Sequence, residues 1–121
     1  MNWRPISEEQ IWDELNASWD RMTIPQRHFW EAIRIDPRKW QQHPYGDEGG
    51  GFWVVAIMGN TVVWYNDIEE GFNWSKCSLC GEIGEYWCNQ DELAWVVQHL
   101  IDEAQTGQPS GGHAGPPEPL T

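Results

Sequence analysis

The chain predicts an α+β domain: two N-terminal helices, a three- or four-stranded antiparallel meander and one C-terminal helix. Three observations carry that prediction. Ser7 with Gln10, and Thr23 with Gln26, have the spacing of helix capping boxes. Apolar runs at 52–58 and 62–65 flank Gly59-Asn60, the signature of a hairpin in which glycine supplies φ > 0 at the first central position. Leu93, Val96, Val97, Leu100, Ile101 and Ala104 follow helical spacing.

The first helix starts after Ser7. Glu8 and Glu9 suit the positive end of its dipole, and Ile6 and Ile11 close a hydrophobic staple. Ile11, Leu15, Trp19 (or Ser18) and Met22 mark its inner face, with Trp12 beside it. The second helix starts after Thr23, with Pro25 in the first turn, where a missing N–H costs nothing. Phe29, Trp30 and Ile33 face inward. Pro37 is expected to end this helix, because a residue before proline is pushed out of the α region. Asp36-Pro37 is then expected to open one short turn carrying Trp40. Residues 41–51 read as a loop with three closing glycines, either a flexible connection or the border of a site.

The run 52–58 does not alternate. Phe52, Val54, Ala56 and Met58 are expected on one face, Trp53, Val55 and Ile57 on the other, so the strand should be covered on both sides. After the hairpin, Asn66-Asp67 reads as an Asx turn and Gly71 as a positive-φ position. Residues 72–79 alternate as a third, more exposed strand near an edge, and 85–88 as a short fourth strand. Asn89 is expected to cap the last helix, with Asp91 and Glu92 in its first turn, and Gly107 to stop it. Residues 1–106 form the expected domain. Residues 107–121, rich in Pro and Gly, are expected to be a disordered tail.

The 121 residues suffice for one core, and 10 of them are Trp. No apolar run reaches the roughly 20 residues of a membrane span. Three cysteines without a secretory leader point to a reduced, cytoplasmic protein. The net charge of −12 is uneven: beyond residue 40, Lys76 is the only basic side chain against twelve acids. Such a surface repels phosphate backbones, which argues against nucleic acid and for a basic protein partner.

Three constellations have the composition for chemistry. Cys77 and Cys80 form a Cys-x-x-Cys-Gly, which Cys88 and His99 would complete as a zinc set. There is no second pair, and residues three apart on a straight strand point to opposite faces, so no metal is assigned. Asp67, Glu69 and Glu70 sit in one turn, where close carboxylates raise one another's pKa as in glycosidases; solvated turn acids are the ordinary alternative. Trp3, Trp40 and Trp74 fall outside the strongest apolar patterns and are expected to be exposed, as protein-binding anchors are.

The Ile24-Pro25 helix start, the glycine-rich loop, the meander and a final helix after Asp91-Glu92-Leu93 resemble the SUKH superfamily of bacterial immunity and adaptor proteins, over about residues 23–104. The run Trp64-Tyr65-Asn66-Asp67-Ile68-Glu69-Glu70-Gly71-Phe72 is also similar to small bacterial proteins of unknown function. The resemblance implies a small acidic protein that binds another protein, and transfers no functional residue. The sequence thus leads to a non-enzymatic protein-binding domain, immunity-type, acting on a basic protein through Asp67, Glu69, Glu70 and Trp74, with no catalytic residue and no cofactor. Two alternatives stay open: a small carboxylate hydrolase with a Trp-lined cleft, and a structural zinc domain.

Overall fold

Both capping boxes form. The Ser7 hydroxyl accepts from the Gln10 amide while the Gln10 side chain accepts from the Ser7 N–H, opening α1 over Glu8–Arg21. Thr23 and Gln26 do the same for α2, Ile24–Ile33. These bonds satisfy amides that a first helical turn leaves without partners. The computed structural model describes residues 3–108 and 112–116. Among them α1 buries Ile11, Leu15 and Ser18, and α2 buries Trp30 and Ile33. Arg27 ties the two helices together: Nε donates to the Trp19 carbonyl at 3.0 Å and the guanidinium lies over the Trp19 ring.

The helix α2 stops at Ile33, ahead of Asp36, and the chain passes directly into strand β1, Arg34–Trp40. The short turn expected at Asp36-Pro37 is therefore a strand. Pro37 is buried where the pairing register shifts between Arg34 and Arg38. Proline cannot donate to a ladder, so it is tolerated at an irregularity on an edge strand, and β1 is such an edge. The remaining strands are β2, Phe52–Met58; β3, Thr61–Asn66; and β4, Gly71–Lys76, in the antiparallel order β1-β2-β3-β4. The fold is α+β with a four-stranded meander. Its additional strand is β1; residues 85–88, expected as a strand, carry none.

Gly59 takes φ 60 in the β2–β3 turn, which Met58 and Thr61 close. The central strand β3 is buried along its whole length. Val63 and Tyr65 join Phe72 and Trp74 of β4 beneath the helices, while Val62 and Trp64 face the other way. In β2 the expected alternation fails midway, because the register against β3 shifts between Val54 and Ala56. That bulge turns both Val55 and Ala56 toward the helices. Ile57 is thereby returned to the face of Phe52 and Val54, and Met58 to that of Trp53.

The third helix, α3, spans Leu93–Thr106 and buries Leu93, Val96, Val97 and Leu100 against the sheet. Its cap is Glu92 rather than Asn89, and it ends at Gly107, φ 71. The helix starts late because residue 91 is held extended: the Phe72 N–H donates to the Asp91 carbonyl at 2.9 Å. The edge of β4 is protected a second time by Glu85, whose carboxylate accepts from the Lys76 N–H at 2.9 Å. The second face of the sheet, built on Trp40, Phe52, Val54, Val62 and Trp64, is covered by irregular chain that contributes Ile83. Tyr45 from one covering loop stacks on Tyr86 from the other, with ring centroids 4.0 Å apart.

The β3–β4 turn corrects one further expectation. Positive φ falls on Glu70, at 60, and not on Gly71. Gly71 is there for space, since a Cβ would stand 2.2 Å from the Gln90 Cα. Gly71→Ala is therefore expected to destabilise the fold by about 2–4 kcal/mol. Glu70→Asn, which suits the left-handed region, should raise stability by up to about 1 kcal/mol. Urea denaturation of both variants checks the two signs.

Candidate functional site

The acids of the β3–β4 turn point in different directions. Asn66 folds the turn by accepting from the Ile68 and Glu69 N–H groups at 3.0 and 3.2 Å, the expected Asx geometry. That turns Asp67 inward. Its Oδ2 accepts from the Ile6 N–H at 2.8 Å, and its carbonyl accepts from the Trp3 indole at 3.1 Å. The Trp53 indole in turn donates to the Ile6 carbonyl at 2.9 Å. Asp67 thus pins the segment ahead of α1 to the sheet. Burial pushes its pKa up against the opposing pull of the Ile6 N–H and Lys39, and its Oδ1 is buried with no hydrogen-bond partner among the described residues. Glu69 is half-buried, and its carbonyl accepts from the Gln90 side chain at 2.9 Å. Of the three, Glu70 is the acid that faces solvent along a groove.

Trp74, expected as an exposed anchor, lies under α3 and is 6% exposed; Trp40 is likewise buried at 7%. Trp3 is half-buried, held by its bond to Asp67. The tryptophan that does face solvent is Trp95, 55% exposed. It falls between the apolar positions of α3, which is the signal that locates it.

A groove of about 220 Å³ runs between α1, the β3–β4 turn and residues 90–93, and its acids come from three elements: Glu14, Glu70, and Asp91 with Glu92. Arg21 lines it too, paired with Glu92 at 3.2 Å through exposed ends. Tyr65 forms its floor. The Tyr65 hydroxyl is pushed up to about 12, by burial first and then by the charges of Glu14, Glu70 and Asp67. Three separate stretches of chain therefore bring negative charge to one point. From sequence Asp91 reads only as a first-turn acid of the last helix, and nothing joins Glu14 or Tyr65 to the turn, because sequence spacing does not show that α1 crosses the β3–β4 turn.

The Cys-x-x-Cys does not close a site. Cys77 packs into the second-face cluster, Cys80 is exposed, and Cys88 is half-buried beside Tyr86, with its thiol pushed up by burial. His99 lies against Trp74 and Trp95. Among the described residues no group of three or more His, Cys, Asp or Glu is placed to hold a metal ion. No described helix is long and apolar enough to cross a membrane.

Part of the expected tail is docked, the rest lying outside the described residues. His113 sits between Trp87, 4.4 Å away and nearly parallel at 9°, and Trp74, also at 4.4 Å. This places Trp74, Trp87 and His113 together at the β4 edge, a juxtaposition of residues far apart in sequence. Burial lowers the His113 pKa; the carboxylates of Glu85, Glu103 and Asp91 oppose this, and His99 adds to it.

No protein-family model matches the chain, and neither does a curated protein or a solved structure.

Two pH dependences follow. The raised pKa of Asp67 favours the folded state when the carboxyl is protonated. Its contribution is complete below the ordinary value of 3.8 and is lost as pH rises through the folded value. The stability difference between the native chain and Asp67→Asn should therefore move in favour of the native chain as pH falls, measurable by urea denaturation from pH 7 downward. For His113 the lowered pKa means that docking favours the neutral ring. Docking should be complete above the ordinary value of 6.5 and weaken as pH falls below it. Indole fluorescence of the native chain should follow that transition, and His113→Phe should abolish it.

Proposed function

We propose that the chain is a small, acidic, non-enzymatic protein-binding domain that takes a basic partner along the groove between α1, the β3–β4 turn and residues 90–93. The observation that carries this reading is that Glu14, Glu70, Asp91 and Glu92, from three stretches of a chain with net charge −12, line one groove. Focused negative potential raises the encounter rate with a cationic surface by about 10–10³-fold at low salt. An immunity-type inhibitor, which covers the working surface of a basic protein, is the form of binding to which this reading extends. The edge has one role for each acid. Glu70 and Glu14 are exposed and free to meet a partner's cations, while Asp67 holds the fold.

The test uses a capped oligolysine peptide as a generic cationic partner. Amide chemical shifts of the native chain should move first around Glu14, Glu70 and Glu92, with an affinity that falls steeply with salt. Glu14→Gln/Glu70→Gln should weaken that binding several-fold, flatten its salt dependence and lower the Tyr65 pKa, with the fold unchanged, since exposed acids contribute little stability. Shifts spread evenly over Asp47, Glu82 and Asp102 would show that the charge is only a solvating coat.

A further inference from the structure

A buried asparagine at the β4 edge grips backbone. Asn89 is 8% exposed, and its orientation is fixed from two sides: its own N–H donates to Asn73 Oδ1 at 2.9 Å, and its Nδ2 donates to Asp91 Oδ2 at 2.9 Å. The amide so held faces the segment 112–116. Nδ2 donates to the Gly112 carbonyl at 3.1 Å, and Oδ1 accepts from the Ala114 N–H. The Cys88 N–H donates to the Ala114 carbonyl. Three main-chain groups of residues 112–114 are thus bound by one side-chain amide and one backbone N–H.

The side chain of that segment that meets rings is His113, whose imidazole, exposed on its outer side, stacks on Trp87 and lies tilted against Trp74. The flanking positions are read as backbone alone. A Cβ at Gly112 would meet nothing within 4 Å, and one at Gly115 would meet the Trp87 ring at an ordinary 4.0 Å. The recognition therefore specifies an extended backbone and one flat ring, and leaves the neighbours open. Peptide-binding proteins use the same division, with main-chain bonds for affinity and a pocket for specificity.

We propose that Trp74, Trp87, Cys88 and Asn89 form a peptide-binding slot that residues 112–116 occupy in cis, and that it takes from another protein an extended segment with one flat ring side chain. The cis segment is then an exchangeable ligand that holds the slot closed. A tethered ligand acts at an effective concentration in the millimolar range, so an outside peptide competes on unequal terms until the segment is released. This slot is separate from the acidic groove in its chemistry, since it reads hydrogen bonds and a ring face.

The test uses the full chain and its double variant His113→Ala/Ala114→Pro, which removes the ring and the N–H that Asn89 accepts, both outside the folded body. The probe is the capped peptide acetyl-Gly-His-Ala-Gly-Pro-amide, with acetyl-Gly-Ala-Pro-Gly-Pro-amide as control. In the variant, the first peptide should shift the Trp87 indole and the Cys88 and Asn89 amides saturably, and several-fold more tightly than in the native chain. The control should not. In the native chain, hydrogen exchange at the Ala114 amide should be slowed at least about tenfold relative to an unstructured peptide. This last measurement decides the matter even if the variant misfolds. An unprotected Ala114 amide, equal binding of both peptides, or equal affinity in both chains overturns the proposal. So does a concentration-dependent dimer of the native chain that the double variant cannot form, which would reassign the slot to exchange between copies.

Discussion

The sheet is apolar on both faces, and among the described residues only one face has helices to cover it. The other is closed by chain that forms no strand among the described residues and pairs with the sheet end at one isolated bridge, Gln41 with Glu82, so its other N–H and C=O groups need other partners. Leaving such a group buried and unmade costs about 1–3 kcal/mol, so the cover requires partners from the sheet itself. Three polar side chains on β3 and β4 supply them. Asn66 Nδ2 donates to the Trp87 carbonyl and to the Tyr86 hydroxyl, at 3.0 and 3.1 Å. Asn73 accepts from the Asn89 N–H and donates to the Asn89 carbonyl, at 2.9 and 3.0 Å. The Ser75 hydroxyl donates to the Glu85 carbonyl at 2.8 Å and accepts from the Trp64 indole at 2.9 Å. Asn66 and Asn73 are fully buried. They make residues 85–89 behave as a further strand in bonding while the backbone follows another path.

That path sets the outer surface. Because the cover is pegged at residues 85, 87 and 89, it crosses the β4 edge and delivers Asp91 and Glu92 beside Glu70 before α3 begins. The same crossing requires glycine at position 71, since the cover passes too close for any Cβ. It also sets Trp87 and Trp74 each in ring contact with His113. Packing, edge protection and the two candidate binding surfaces are consequences of one backbone route.

How much of this was legible in the sequence depended on the range of the interaction. The caps at Ser7 and Thr23, the Gly59 turn and the α3 stripe are written within a few residues, and the structure has them as read. Pro37 misled, because a proline ends a helix and also suits an edge bulge, and only the partner strand distinguishes the two. Gly71 was read through φ, whereas its reason is Gln90, which nothing local predicts. The acid-rich turn was legible as charge and not as geometry. Asp67 is drawn inward by Ile6, about sixty residues earlier in the chain, a distance over which sequence patterns carry no signal. The buried asparagines looked like turn formers. Asn66 is one, and a peg as well.

Asn89 joins the two surfaces. Its Nδ2 donates both to the Gly112 carbonyl in the slot and to Asp91 Oδ2 at the rim of the acidic groove. One amide group is therefore divided between the occupant of the slot and an acid of the groove. Losing the Gly112 bond leaves one of the two Nδ2 hydrogens to water, and neutralising Asp91 by a bound cation weakens the acceptor of the other, which orients the amide toward the slot. Hydrogen bonds to an ionised acceptor are roughly twice as strong as neutral ones, so the charge on Asp91 matters to how firmly Asn89 is held. Any coupling carried through this amide acts equally in both directions, because binding free energies are linked. A basic partner at the groove and an extended peptide in the slot would each then alter the other's affinity by the same factor, through a single side chain that is itself held in place by Asn73.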